Sequence, residues 1–284
     1  MSTSMPFDED MTRRLVDMYT TRDVVAQRDA TLEMLDPQVG ERVLDIGSGP
    51  GFLAAGIANR VGESGAVSGI DLSEPMIAYA SGLSAAPGSA PMTFELGDAT
   101  ALGYPDQSFD AVVSTQVYEY VPDIETAMAE VHRVLVPGGR VLILDTDWDS
   151  VVWHTSDRAR HSRVMSAWQE HLADPWLPRT LSRRLESAGL TVERQEVLVL
   201  FNPAFDPRTF SAGVMQLIAN FVPGRRGVTD EEAAAWLADL HDLGAREEYF
   251  FSMNRYLFLA RRLDPSSGHP CPRREAGHDD GSGQ

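Results

Sequence analysis

Residues 43–51 read Val-Leu-Asp-Ile-Gly-Ser-Gly-Pro-Gly, an apolar run containing an acid, followed by a glycine at every second position. Glycine lacks a Cβ atom, so the backbone can turn sharply and bring its N–H groups against a bound molecule. Asp45, at the end of the predicted strand, would face the same molecule. Gly47, Gly49 and Gly51 could also form an ordinary tight turn, but the acid beside them favours a ligand-binding loop.

A second acid lies at a spacing that suggests what this ligand is. Asp71 follows Gly51 by 20 residues, at the predicted end of the next strand, where a carboxylate can accept hydrogen bonds from both hydroxyls of an adenosine ribose. The loop spacing is G-x-G-x-G, not the G-x-G-x-x-G that receives a pyrophosphate. The pattern favours a nucleoside cofactor, although Asp71 could simply cap the following helix, a position for which Ser73 is better placed.

Hydrophobic patterning predicts the elements that would position these residues. In the first half of the chain, strands are expected at residues 42–46, 67–70, 92–96, 109–114 and 140–144, with helices between most of them. This alternation predicts an α/β fold, a Rossmann-like doubly wound and mostly parallel sheet, which binds ligands beyond the carboxyl ends of its strands. Asp45, Asp71, Asp98 and Asp145 all map to that edge.

Helices are expected to cover the ligand side of the sheet. An N-terminal helical cap is predicted over residues 1–35, as two helices that break near residues 19–23. The main domain is predicted over residues 36–262, with helical insertions at about 148–178 and 202–246. These insertions could build a lid over an apolar pocket, or equally a helical core or a subunit interface.

The second half is less regular than the first. Its predicted elements are helices at 156–172 and 179–188, a strand at 192–201, two further helices and a last strand at 251–260. Residues 137–139, Pro-Gly-Gly, are expected to stop the helix before the fifth strand. Residues 263–284 have the Pro, Gly, Ser and charged composition that is typical of a disordered tail.

Composition excludes several classes of function. The net charge of −18 over 284 residues disfavours nucleic-acid partners, because phosphate neutralisation by basic side chains supplies most of their affinity. The single cysteine, Cys271, excludes disulfide frameworks and Cys-rich zinc sites, and no metal site is predicted. No apolar segment at the start of the chain or elsewhere approaches the roughly 20 residues of a membrane span, which predicts a cytoplasmic protein without membrane insertion.

Between about residues 40 and 145, the chain resembles the class I S-adenosylmethionine-dependent methyltransferases, in the branch that includes ubiquinone/menaquinone-type and natural-product enzymes. The stretches that carry the resemblance, in the order of the family's motifs, are residues 43–51, 69–73, 97–99, 109–113 and 135–139. The resemblance implies a seven-stranded sheet with the last strand antiparallel. It also implies a methyl donor, S-adenosylmethionine, lying across strands 1, 2 and 4.

Carried over by position, the resemblance implies cofactor-binding residues at the strand ends and in the N-terminal helices: Tyr19, Asp45, Gly47, Ser48, Gly49, Gly51, Asp71, Leu72, Met76, Asp98, Ala99, Thr115 and Gln116. The glycine loop and the residues after strand 4 would hold the methionine portion, with Asp45 near its ammonium through a water or the backbone, and Asp71 would hold the ribose. The apolar side chains after Asp71 would pack on adenine, while Asp98 would receive its amine unless it is a plain turn residue. Tyr19 would close over the donor.

The acceptor side is less defined. In the family, the loop after strand 4 usually presents acceptor-facing groups, and here Glu119 and Tyr118 are the catalytic candidates. Glu119 could act as a base or pair with a cationic acceptor, or it could be a solvated loop acid. His154, near two tryptophans, is a further candidate base close to neutral pH, although such a histidine is more often structural. The tryptophans could also face a cation or a flat acceptor.

The sequence therefore predicts an S-adenosylmethionine-dependent methyltransferase that modifies O, N or C of a small, largely apolar metabolite, such as a natural product or a quinone-like molecule. Two alternatives stay open at this point: an NAD(P)-dependent oxidoreductase, and a catalytically silent S-adenosylmethionine-binding or scaffold protein. Methyl transfer needs a general base only if the nucleophile must lose a proton, so no fixed catalytic triad is expected. A homo-oligomer is compatible with the sequence.

Overall fold

The structure, a computed structural model, describes residues 9–264. The predictions for the tail and for Cys271 therefore lie outside the described residues. The helices are α1 (Glu9–Tyr19), α2 (Arg22–Leu35), α3 (Phe52–Val61), α4 (Glu74–Ser81), α5 (Ile124–Val134), α6 (Arg158–Trp168), α7 (Pro178–Ser187), α8 (Phe210–Phe221) and α9 (Asp230–Ala245). The strands are β1 (Arg42–Ile46), β2 (Ala66–Asp71), β3 (Met92–Leu96), β4 (Phe109–Thr115), β5 (Leu135–Thr146), β6 (Val152–Trp153), β7 (Leu190–Asn202) and β8 (Phe251–Arg262).

All of these strands join one sheet. Its first five strands are parallel in the order β3-β2-β1-β4-β5, and β8 follows β5 in the antiparallel direction. β7 pairs with the other edge of β8, again antiparallel. This confirms the expected α/β, Rossmann-like sheet with an antiparallel last strand. The sheet has eight strands where seven were expected, because the two-residue β6 also pairs with β8.

Two predicted boundaries were wrong. The helix before the fifth strand ends at Val134, and Pro137-Gly138-Gly139 lies inside β5. The register shifts there, because the two steps from Phe109 to Ala111 of β4 pair with the five from Leu135 to Arg140 of β5. The helix expected over 156–172 begins only at Arg158, because Asp157 caps it by accepting the backbone N–H of Arg160 at 2.9 Å. It gives way to a 3₁₀ turn at Gln169–His171.

Three hydrophobic clusters hold the fold together. One lies on the sheet face covered by α5 and α7, and a second on the face covered by α2 and α3. The third, which contains Trp168 and Trp236, joins α1, α6, α8 and α9 to one another. The inserted segments therefore form a helical layer with its own core. Within residues 9–264, none of the helices combines the length and apolarity that crossing a membrane requires.

Candidate functional site

The carboxyl ends of β1, β2 and β4 open into a cavity of about 730 Å³ that extends beneath α1, α2 and α8. All of the predicted cofactor residues except Asp45 and Gly51 line it. The far wall is aromatic and apolar, with Trp148, Trp168, His171, Phe210, Val214 and Leu217. A second groove, of about 940 Å³, lies between the end of α1 and α8, but it reaches neither the glycine loop nor the strand ends.

The glycine loop joins β1 to α3, and its three glycines have different roles. All three have positive φ angles, of 68° at Gly47, 51° at Gly49 and 80° at Gly51, a region that L side chains rarely adopt. A Cβ on Gly47 would lie 2.1 Å from a methyl carbon of Val117, and one on Gly51 would lie 2.9 Å from the ring of Phe94. These two glycines are required by protein packing. At Gly49 the nearest atom is a ring carbon of Tyr19, at 3.8 Å, so this glycine leaves space on the cavity side.

Asp71 fastens the glycine loop to the end of β2. One carboxylate oxygen accepts the backbone N–H of Gly49 and the other accepts that of Ser73, both at 2.9 Å. Burial raises the pKa of Asp71, and the two backbone hydrogen bonds work against this rise. A carboxylate can accept about four hydrogen bonds, so capacity for ribose hydroxyls is left on the cavity side. Ser73, as expected, caps α4 by accepting the N–H of Met76.

The adenine end of the predicted site lies at the cavity rim. Leu72 is 77% exposed, while Met76 is buried on the first turn of α4. Asp98 is exposed, and one of its oxygens accepts both the N–H and the hydroxyl of Thr100 at 2.8 Å. The turn role considered for Asp98 is thus present in the structure, and it leaves the second carboxylate oxygen available. Ala99 is buried beside it.

Two buried polar atoms on the cavity wall fit a polar ligand. Ser48 Oγ and Gln116 Nε2 have no hydrogen-bond partner among the described residues, although both residues line the cavity. Gln116 is held in place from both sides, because its side-chain oxygen accepts the Thr146 hydroxyl at 2.8 Å and its backbone N–H donates to Leu144 at 2.7 Å. Buried polar groups normally find partners, so these atoms suit the amino-acid portion of a methionine-bearing nucleoside.

Tyr19, the predicted lid residue, lines the cavity at the end of α1. Burial, followed by the carboxylates of Asp71 and Glu119, raises the pKa of its hydroxyl to about 12, so the group stays protonated. Its backbone carbonyl accepts a hydrogen bond from Arg28 at 3.3 Å. Arg28, which the sequence reasoning missed, also lines the cavity, and its guanidinium lies 5.4 Å from the ring centroid of Phe52, the first residue of α3.

The structure places none of the three predicted catalytic residues on the cavity wall. His154 is exposed beyond β6, where its backbone bonds Phe250. Tyr118 is fully buried in the core beneath β4, and burial raises the pKa of its hydroxyl far above the ordinary value. Glu119 is also fully buried, so its interpretation as a solvated loop acid is wrong. The neighbouring Tyr120, by contrast, lines the cavity.

Two predicted cofactor residues also lie behind the wall. Asp45 is fully buried in β1, where burial and then the nearby Asp71 carboxylate raise its pKa to about 7. Asp45 does not line the cavity, and its expected approach to the donor, through a water or the backbone, stays a prediction. Gly51 faces the side chains of Ala80, Leu83 and Phe94 and serves the packing of α3 against α4 and β3.

Glu119 and Asp145 form a buried acidic pair beneath the cavity. One Glu119 oxygen accepts the backbone N–H of Thr146 and the indole N–H of Trp148, both at 3.2 Å. Asp145 accepts the N–H of Val117 at 3.1 Å. Burial raises the pKa of Glu119 to about 7 and that of Asp145 well above its ordinary value, with Glu119 as its second cause. The pair fixes Trp148 and the loop after β4, which together form part of the wall.

His171 is a second residue that the sequence reasoning missed. It lies in the 3₁₀ turn after α6, 7% exposed, with its ring 3.9 Å from that of Trp168. Its Nδ1 bonds the carbonyl oxygen of Trp168, which can only accept, so Nδ1 carries the proton and Nε2 carries a lone pair. Nε2 has no partner among the described residues, and burial lowers the pKa of this imidazole to about 4. His171, which lines the cavity, thus keeps an uncharged acceptor atom that the described residues do not use.

Arg255, on β8, is the third missed residue. It pairs in register with Thr146, at the carboxyl end of β5, which brings it to the ligand edge of the sheet. A signal for it exists in the sequence, because Phe251, Met253 and Leu257 alternate with outward-facing residues and Arg255 falls on their buried face. An arginine at such a position is unusual and points to a specific role.

Comparison with known proteins identifies the class that this fold and site define. Residues 44–143, which run from β1 into β5, match the family described as Methyltransferase domain. The aklanonic acid methyltransferase of Streptomyces sp. (strain C5) is 32% identical over 168 residues, which cover 59% of this chain and 75% of that protein. The chain belongs to the S-adenosylmethionine-dependent methyltransferases, and S-adenosylmethionine is its cofactor. The resemblance seen in the sequence is thereby confirmed.

Two further proteins are similar over part of the chain. The 2-phytyl-1,4-naphtoquinone methyltransferase of Synechococcus elongatus is 40% identical over 107 residues, covering 37% of this chain and 46% of that protein. A structure of Haemonchus contortus phosphoethanolamine N-methyltransferase 2 with S-adenosyl-L-methionine superposes with a TM-score of 0.52 at 22% identity, covering 84% of this chain and 52% of that one, and shows a shared fold. The chain spans about half the length of several curated relatives that it matches.

Proposed function

We propose that this chain transfers the methyl group of S-adenosylmethionine to O, N or C of a small, largely apolar metabolite. The observation that carries the proposal is the continuity of the 730 Å³ cavity, which runs from the glycine loop to a wall of aromatic and apolar side chains. Small-molecule sites typically occupy roughly 300–1,000 Å³ and have such walls. One cavity can therefore hold the donor at one end and a small acceptor at the other.

In this proposal, the donor residues act by binding and orientation. Asp71 accepts hydrogen bonds from the ribose, and Leu72 and Met76 pack on adenine. Ser48 and Gln116 use their free polar atoms on the methionine portion. Tyr19 covers the loop at Gly49, the position where the missing side chain leaves space.

On the acceptor side, the wall orients the nucleophile and excludes water. When bound, S-adenosylmethionine supplies a methyl group that is already activated on a sulfonium, so positioning provides much of the rate. A group that accepts a proton is needed only when the nucleophile is a hydroxyl or a protonated nitrogen. His171 Nε2 is our candidate for that hydrogen bond, in place of Glu119, Tyr118 and His154, because it is buried, uncharged and on the wall.

The named relatives support the class of acceptor. Their names refer to aklanonic acid and to a naphthoquinone, and we extend a natural-product or quinone-like acceptor to this chain. We also propose that the protein acts in secondary metabolism and is located in the cytoplasm. The family match gives no support to the NAD(P)-dependent oxidoreductase or to the silent binding protein.

The proposal is tested by incubating the purified chain with S-adenosylmethionine and a panel of quinones and polycyclic natural products. Mass spectrometry should find an acceptor that has gained one methyl group, together with S-adenosylhomocysteine. Titration calorimetry in parallel should show binding of S-adenosylhomocysteine and none of NAD. Binding without transfer to any member of a broad panel would favour a silent binding protein, and binding of NAD alone would overturn the proposal.

A further inference from the structure

Arg255 places a cation in the wall of an otherwise largely apolar part of the cavity. The residue lines the cavity and is only 4% exposed. Its guanidinium carbon lies 4.5 Å from the ring centroid of Phe210, on the lid helix α8. Burial lowers the pKa of Arg255 to about 10, which leaves the group charged at neutral pH. A buried charge is costly unless it is paired, so its partners decide what it does.

The protein supplies Arg255 with few partners. One terminal N–H₂ group donates to the side-chain oxygen of Gln27 on α2, which is neutral. The Nε–H group has no hydrogen-bond partner among the described residues. Among the described residues, Arg255 forms no ion pair. Most other arginines in the helices and strands do form one, as Arg140, Arg179 and Arg261 show. The guanidinium, on a residue that lines the cavity, therefore keeps donors that the described residues do not use.

The charged and titratable groups that face Arg255 do not neutralise it at close range. Glu119, the strongest of them, has its pKa raised to about 7 by burial, and one oxygen is already used by Thr146 and Trp148. The hydroxyls of Tyr19 and Tyr120 have raised pKa values and stay neutral. Asp23 uses its two oxygens on the backbone N–H of Phe210 and the amide of Asn202.

A second arginine, Arg28, also lines the cavity. It lies over Phe52 at the start of α3, immediately after the glycine loop that is predicted to hold the methionine portion. Arg255 lies on the side of Phe210, Tyr120 and Glu119, next to the aromatic wall. The cavity thus contains two arginines in different neighbourhoods, and the donor brings one carboxylate.

We propose that Arg255 binds an anionic oxygen group of the methyl acceptor, so that the substrate is an apolar acid, carrying a carboxylate or an ionised enol. The inference rests on the proposed function and narrows its substrate class. The free Nε–H and terminal N–H groups form the planar fork that recognises two oxygens at once. Tyr19 and Tyr120 also line the cavity, and their neutral hydroxyls are further donors for the same group.

Matched pairs of probes test this, with S-adenosylhomocysteine saturating the donor site. The pairs are 2-naphthoate with 2-naphthamide, anthraquinone-2-carboxylate with its amide, and 2-hydroxy-1,4-naphthoquinone, an acidic enol, with its methyl ether. Titration calorimetry should show that at least one acid binds about tenfold or more tighter than its neutral partner, as expected for a charge-assisted contact in a buried site. A preference for the acid in the first two pairs indicates that the site binds a carboxylate. A preference in the third pair indicates that it binds an enolate.

The variants locate this preference. In Arg255→Met, the acid and its neutral partner should bind equally, and Arg255→Lys should retain part of the difference. Arg194→Met removes the same charge from the exposed neighbouring strand β7, where Arg194 pairs with Glu196, and should leave the preference unchanged. The affinity for S-adenosylhomocysteine should stay within about twofold of wild type in all three variants. Retained affinity also serves as the evidence that each variant is folded.

Several outcomes overturn the inference. Wild-type protein that prefers no acid, or a preference that survives Arg255→Met, would remove it while the methyltransferase proposal stands. Loss of S-adenosylhomocysteine affinity in a folded Arg255→Lys protein would assign Arg255 to the donor carboxylate instead. If the wild-type chain bound no S-adenosylhomocysteine at all, the proposed function would fail, and this inference with it. If Arg255→Met does not fold, the inference is tested by comparing the preference for the acid in wild-type protein with that in Arg255→Lys.

Discussion

Asp71 shows how a single carboxylate can organise both the protein and its ligand. Its two oxygens hold the backbone at Gly49 and Ser73, so the loop and the next helix are positioned before the donor arrives. In the proposed site, the remaining lone pairs accept hydrogen bonds from the ribose. Because the residue serves both purposes, a substitution affects the affinity for the donor and the stability of the loop, and the two effects must be separated.

We expect Asp71→Ala to weaken S-adenosylhomocysteine binding by roughly 1–3 kcal/mol, the usual cost of losing a charged hydrogen-bond partner. Titration calorimetry measures the change. The control is Asp110→Ala, which removes a carboxylate that accepts the backbone N–H of Arg42 at 2.8 Å, outside the cavity lining. Asp110→Ala should lower stability without changing affinity. Equal affinity in both variants would remove the ribose assignment.

Glu119 should make the protein less stable as the pH rises. Its pKa is about 7 when folded and about 4.5 by its ordinary value, so between these values the unfolded chain loses a proton that the folded chain keeps. Glu119→Gln mimics the protonated form and removes this penalty. The free energy of unfolding of the variant minus that of wild type should therefore increase between about pH 4.5 and pH 7, by on the order of 1–3 kcal/mol.

Denaturant unfolding across this pH range measures that difference directly. Asp123→Asn, at an exposed helix cap outside the buried pair, serves as a control that should show no such increase across the same window. A difference for Glu119→Gln that stays constant with pH would mean that the Glu119 carboxyl does not remain protonated in the folded protein.

His171 tests whether the nucleophile must lose a proton. His171→Phe keeps a ring of similar shape beside Trp168 and removes the Nε2 lone pair. With a hydroxyl acceptor, we expect turnover to fall by roughly 10²-fold, the lower range for a group that accepts a proton in the transition state. Donor affinity should not change. His241→Phe, a histidine beside Phe205 outside the cavity, is the matched control, and equal turnover in both variants would exclude this role for His171.

Among the elements, α2 is connected both to α8 and to the end of β7 by one carboxylate. Asp23, in the first turn of α2, accepts the N–H of Phe210 at 2.8 Å and so caps α8, whose own N-cap residue Thr209 makes no side-chain cap bond. The same carboxylate accepts from Asn202 at the end of β7, at 3.3 Å. Helices α2 and α8, which both contribute side chains to the cavity wall, are therefore joined by a hydrogen bond.

We expect Asp23→Ala to lower the free energy of unfolding by about 1–2 kcal/mol, as for the loss of a helix cap. It should also weaken acceptor binding, because α8 carries Phe210, Val214 and Leu217 of the wall. Thr229→Ala removes the cap of α9, where Thr229 accepts the N–H of Glu232 at 3.2 Å, and should lower stability alone. Denaturant unfolding measures the stability of both variants, and titration with an acceptor measures their acceptor affinity. Identical acceptor affinity in both variants would contradict the link.

Prediction from the sequence succeeded for elements whose signals are local. β1, β2 and the glycine loop follow from alternation, glycine spacing and acids within a few residues, and the expected edge of the sheet is where Asp71 and Asp98 lie. The register shift at Pro137-Gly138-Gly139 in β5 could not be predicted, because it depends on the pairing with β4. His171 and Arg255 reach the cavity only through tertiary packing and the pairing of β8 with β5, which leave no local pattern around His171.

At the scale of the whole molecule, the donor should stabilise the fold. S-adenosylhomocysteine at 100 times its Kd adds about 2.7 kcal/mol by mass action, which corresponds to a rise in Tm of about 5–10 °C for a chain of this size. Because Tyr19 covers the loop at Gly49, amide exchange in α1 and α2 should slow as well. Adenosine, which lacks the methionine portion, serves as the control. Protection confined to the sheet would show that the N-terminal helices take no part.

The exposed rim at Leu72 has a practical consequence. The side chain is 77% exposed where it would meet the predicted adenine, while the glycine loop and Tyr19 line the end of the cavity that is predicted to hold methionine. A linker attached to the exocyclic amine of a nucleoside analogue would leave through this rim. Affinity resins and fluorescent tracers built on that atom should therefore capture the protein, and those built on the amino-acid end should not.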